Sequence, residues 1–97
     1  MPKKNVIVFS CDPGCVGDTH DKTCKPRSDI YLVADGTAVT LTFENGAIFD
    51  PPDLEINIEE DSFVKKKLSR REDRSKYKVK CEECDTPQDD PEIIVEL

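Results

Sequence analysis

Five cysteines and one histidine are the residues of this 97-residue chain with the clearest chemical reach. Cys11, Cys15, His20 and Cys24 fall in the first quarter, and Cys81 and Cys84 lie near the end. Cys81-Glu82-Glu83-Cys84 is a C-x2-C pair, the spacing at which two thiolates grip one ion. A second pair from a distant segment would complete a tetrahedron with Zn–S bonds of roughly 2.3 Å. Two of Cys11, Cys15 and Cys24 would supply that pair, with His20 as a substitute, although their mutual spacings are looser than those usual in zinc sites. Disulfides between the same two regions, leaving one thiol over, are a second reading and suit a small core. Free thiols, buried or redox-active, are a third; Cys81 would then fill a core position as a small apolar residue.

Catalysis by these thiols is not expected. Thiol–disulfide oxidoreductases place C-x-x-C at a helix start, where the dipole lowers the thiol pKa. Here Glu82 and Glu83 sit inside the motif, and neighbouring negative charge raises the pKa of a thiol. Glu59-Glu60-Asp61 and Asp89-Asp90 fall at turn positions and form no acid/base dyad, and Asp12, Asp18 and Asp21 lack the spacing of a calcium loop. No nucleophile-elbow, phosphate-loop or H-E-x-x-H pattern occurs. The expectation is a protein without enzymatic activity.

The elements that must position the cysteines show period-2 alternation. Val39, Leu41 and Phe43 alternate with threonines, and Leu54, Ile56 and Ile58 with Glu55, Asn57 and Glu59. Tyr77, Val79 and Cys81 alternate with Lys78 and Lys80, and Ile93, Val95 and Leu97 close the chain. Val6–Phe9 and Ile30–Ala34 are continuous apolar runs, as strands buried on both faces would be. Asp35-Gly36 between two such runs signals a hairpin, and Asn45-Gly46, Pro51-Pro52 and Asp90-Pro91 mark further turns. Seven strands follow, at about 4–10, 29–34, 38–43, 54–58, 62–68, 75–82 and 92–97. No helical apolar stripe is present. The fold class is all-β: one domain over residues 1–97, a seven-stranded antiparallel Greek-key β-sandwich.

Order as well as composition carries a resemblance. Ile48-Phe49-Asp50-Pro51-Pro52-Asp53-Leu54-Glu55-Ile56 follows a strand ending Leu41-Thr42-Phe43, and Tyr77-Lys78-Val79 precedes a terminal Asp90-Pro91-Glu92-Ile93-Ile94-Val95. From about Ile30 onward the chain resembles small cupredoxin-like domains. That resemblance implies a Greek-key sandwich in which the loop after the first strand and the loop between the last two strands meet at one pole. All five cysteines, Cys11, Cys15, Cys24, Cys81 and Cys84, and His20 would then gather where cupredoxins hold copper. The copper itself does not carry over. A type 1 site needs two histidines and a cysteine, usually with an axial methionine, and this chain has one histidine and one methionine, Met1. Zinc is the cofactor this donor set would take.

Charge narrows the partners. The chain carries a net charge of -7. Residues 65–80 hold nine basic and two acidic side chains, a net +7, so the remainder is -14. The basic run lacks the interleaved aromatics that stack on single-stranded nucleic acid, so nucleic acid is not the expected partner; a protein partner is left open, and the sequence names none. No apolar run approaches the roughly 20 residues of a spanning helix or the 7–15 of a secretory h-region, so no membrane is expected and the location expected is cytoplasmic.

Overall fold

Alternate burial is the rule that builds the molecule. In a computed structural model, which describes residues 5–11, 16–17, 21–84 and 91–97, the described residues form nine strands. They are β1 (Asn5–Ser10), β2 (Val16–Gly17), β3 (Asp21–Cys24), β4 (Asp29–Asp35), β5 (Val39–Phe43), β6 (Glu55–Ile58), β7 (Phe63–Lys67), β8 (Asp73–Cys81) and β9 (Glu92–Val95). Along β8, Ser75, Tyr77, Val79 and Cys81 are buried while Arg74, Lys76, Lys78 and Lys80 are exposed. The strands form two sheets, ordered β2-β1-β4-β7 and β3-β9-β8-β5-β6.

Between the sheets lie Ile7, Phe9, Ile30 and Leu32 from the first and Val39, Leu41, Ile56, Val79 and Ile93 from the second, all nearly sealed from water. Aromatic rings bridge the layers. Phe9 of β1 meets Tyr77 of β8 edge-on at 6.3 Å, and Phe43 packs at 4.9 Å from both Tyr77 and Phe49. Such pairs add roughly 0.5–1.5 kcal/mol beyond the area they bury.

Four features depart from the sequence expectation. The sheets are mixed, because β1 runs parallel to β4 and β3 runs parallel to β9. Two short strands, β2 and β3, occupy the long connection before β4; they carry no alternating apolar pattern and are held by backbone pairing to β1 and β9. The Asp35-Gly36 turn is not a hairpin, since β4 and β5 belong to different sheets. Its local chemistry is still a turn's: Gly36 has φ +74° and its N–H donates to Asp61 Oδ1 at 2.8 Å. β1 and β4 are also buried on one face only, with Val6, Val8, Tyr31 and Val33 half-exposed.

A 3-10 turn at Gly46–Ile48 plugs one end of the sandwich. Asn45 caps it by accepting from the Ala47 N–H at 3.0 Å. Gly46 must be glycine for room: a Cβ there would stand 2.9 Å from the Asp53 carbonyl oxygen, whereas a Cβ on Gly36 meets nothing within 4 Å. Gly36→Ala should therefore cost only its left-handed backbone, about 1–2 kcal/mol. Gly46→Ala must displace the 51–53 backbone and should cost more. Urea unfolding of the two variants checks this order; equal midpoints would contradict the close packing at Gly46.

Candidate functional site

Cys81 ends β8 with its side chain turned into the core, and the three residues after it fold back toward β1. That return is tied down by Thr37, a hydroxyl fully buried between β4 and β5. Its Oγ1 donates to the Ala38 carbonyl at 3.1 Å and accepts from the Glu83 N–H at 3.2 Å, and the Glu82 N–H donates to the Ala38 carbonyl at 3.0 Å. Cys84 is thereby carried to Cys11, directly after β1. Thr37 had no distinguishing mark in the sequence, because a threonine beside a turn is ordinary and only its burial reveals the task.

The sulfurs of Cys11, Cys81 and Cys84 all lie within 4.8 Å of one another. Cys11 and Cys84 are joined by a disulfide, with Cα atoms 5.8 Å apart and 73 residues between them in sequence. Cys81 is disulfide-bonded as well. Cys11 and Cys84 are half-buried and pack on the core. Three thiolates at this separation approach the roughly 3.8 Å sulfur spacing of a tetrahedral site with 2.3 Å bonds. Only thiolates bind, however, so the site can accept an ion after reduction and not before. Glu82 and Glu83 are exposed beside it and add negative charge that favours a cation.

Cys24, expected at the same pole, is elsewhere. It ends β3 opposite Val95 of β9, and Val95 in turn faces Asp73, the first residue of β8. Cys81 is the last residue of that strand, eight positions on, or roughly 26 Å at about 3.3 Å per residue. The reason is direction: β3 runs parallel to β9 and carries Cys24 away from Cys11, Cys81 and Cys84. Cys24 is a buried free thiol, and burial pushes its pKa up against a smaller opposite pull from Lys22. Cys15 and His20 lie outside the described residues.

The basic segment is divided by ion pairing. Lys65 meets Asp29 at 3.6 Å, Arg74 meets Glu92 at 3.2 Å, and Lys66 donates to Asp53 at 2.9 Å while lying 5.8 Å over the Phe49 ring. Lys66 therefore serves the protein's own surface.

With strand order, layers and the cysteine pole in place, the architecture matches a known protein. The chain is similar to a proline-to-glycine mutant of amicyanin in its reduced Cu(I) form at pH 4, with a TM-score of 0.63 and 10% sequence identity over 99% of this chain and 85% of that one. The fold is cupredoxin-like. At that identity the likeness speaks for the cupredoxin-like fold and for nothing finer. No family model and no curated protein matches the sequence.

The Lys66 hydrogen bond holds the Asp53 carboxyl below its ordinary pKa, with a backbone hydrogen bond from Glu55 and the lysine's charge acting the same way. A depressed folded-state pKa stabilises the protein above the unfolded value of about 3.9, and the contribution disappears as pH falls through the folded value. Asp53→Asn should therefore cost up to about 1 kcal/mol near pH 7, because the pair is partly exposed, and less at pH 2. Denaturation midpoints at the two pH values measure it; an equal loss at both would remove the ionic explanation.

Proposed function

We propose that the chain is a non-catalytic protein-interaction domain whose cysteine pole is a disulfide clip. The Cys11–Cys84 bond carries this reading: it closes, between β1 and the segment after β8, the place where a metal would otherwise sit. Support for a protein partner comes from the outer face of the first sheet. There Val6 lies beside Tyr31, Val33 lies opposite Phe63, and Phe63 is 60% exposed while its ring leans on Tyr31 at 6.1 Å.

A second reading is favoured by one observation, the mutual approach of three sulfurs to within 4.8 Å. Reduced, Cys11, Cys81 and Cys84 would offer three thiolates to zinc beside two glutamates. The two readings belong to different compartments. Cytosolic glutathione keeps thiols reduced, so the zinc form goes with the cytoplasm and the clipped form with an oxidising environment.

Native mass spectrometry beside thiol titration separates them. The clipped domain should run about 4 Da below the fully reduced chain, with one thiol per chain appearing only on unfolding. A mass one zinc above the apo chain, with thiols protected until a chelator is added, would establish the metal form instead.

A further inference from the structure

At the end of the first sheet away from the disulfide, three chain segments are zipped together by backbone. The Arg27 N–H donates to the Ser69 carbonyl at 2.9 Å, the Leu68 N–H to Ser28 at 2.9 Å, the Ser69 N–H to Ile48 at 2.8 Å and the Asp50 N–H to Lys67 at 2.9 Å. Four charged side chains stand on this platform and line one surface cavity of about 360 Å3: Arg27, Asp50, Lys67 and Arg70. Three cations against one carboxylate leave a local +2.

The remaining contacts do not neutralise that charge. Lys65, Lys66 and Arg74 each have an acidic partner, but among the described residues Arg27 and Lys67 make no ion pair within 4 Å. Arg70 reaches Asp50 only at 3.8 Å, with both side chains well exposed, a contact worth little in water. Arg27 also sits at φ +66°, in the left-handed region, where a side chain costs about 1–2 kcal/mol that glycine would spare. The turn thus carries a guanidinium at a position that favours none.

We propose that Arg27, Lys67 and Arg70 bind a phosphate monoester dianion. Guanidinium forks bond phosphate oxygens in pairs, lysine adds a point charge, and the +2 site matches the nearly full second charge of a monoester at pH 7. Arg70 and Asp50 also line an adjoining cavity whose walls include Ala47, Phe49 and Pro52. The exposed apolar part of that lining, Ala47 and Pro52, gives the ester's organic group a place beside its phosphate, with Arg71 and Asp73 completing the walls. The backbone zipper fixes the main chain from which the three cations extend, so the ordering left for binding to impose is that of their side chains.

Amide chemical shifts followed during titration with inorganic phosphate, phenyl phosphate and a blocked phosphoserine test the site. All three should saturate, with the shifts centred on residues 25–28, 50 and 67–70. The tighter of the two organic esters identifies the source, a small phosphorylated metabolite or a phosphorylated protein. Arg27→Gly keeps the left-handed turn and should weaken binding about tenfold or more, as should Lys67→Ala. Lys78→Ala, on the outer face of β8, should leave it unchanged. Failure to saturate at millimolar ligand, equal binding of the monoanionic diester dimethyl phosphate, or equal weakening by Lys78→Ala would each overturn the assignment.

Discussion

The bond between Cys11 and Cys84 closes the molecule on itself. Cys11 follows β1 of the first sheet and Cys84 follows β8 of the second, so their bond ties the two layers together across 73 residues of sequence. A loop that long, closed in the unfolded chain as well, lowers its entropy by an amount worth about 4 kcal/mol in the simple chain model. Typical domains have only about 5–15 kcal/mol in hand. The apolar interior is lean for a chain in which charged residues make up 36%, so the link weighs heavily here. Thr37 and the Phe9–Tyr77 contact act at the same seam, setting the loop and the layers at the distance the bond requires.

The net charge conceals an ordered distribution. Eight of the nine cations of residues 65–80 follow three fates: paired with carboxylates at Lys65, Lys66 and Arg74, displayed along the outer face of β8 at Lys76, Lys78 and Lys80, or gathered with Arg27 around Asp50 at Lys67 and Arg70; the ninth, Arg71, lines the adjoining cavity. The exposed lysines of β8 lie on a central strand, where they cannot be explained as guards of a sheet edge. The molecule therefore has two chemically distinct ends of its first sheet, a sulfur pole with flanking glutamates and a cationic pole built on a rigid backbone.

Most strands were legible because one face of each is buried. The alternation read at 75–82 corresponds to Asp73–Cys81, and that read at 38–43 to Val39–Phe43. Where burial does not drive pairing, the sequence is silent: Asp21-Lys22-Thr23-Cys24 has no apolar stripe, yet it adds to β9 through its backbone. That one parallel pairing sends Cys24 to the far end, so a grouping of five cysteines argued from loop position alone could not survive. Glycine chemistry at Asp35-Gly36 correctly marks a turn, but the turn carries no information about which sheet the next strand joins. The cationic cavity was equally hidden, because Arg27, Asp50 and Lys67 meet only through the hydrogen bonds of three separated segments.

The most direct test of the disulfide's place at the centre of this structure is equilibrium unfolding in urea of the oxidised protein and of an oxidised Cys11→Ala/Cys84→Ala variant, which lacks this bond and leaves Cys81 in place. If Cys11–Cys84 holds the layers together, the variant should be less stable by about 2–4 kcal/mol. Coincident unfolding curves for the two forms would contradict it.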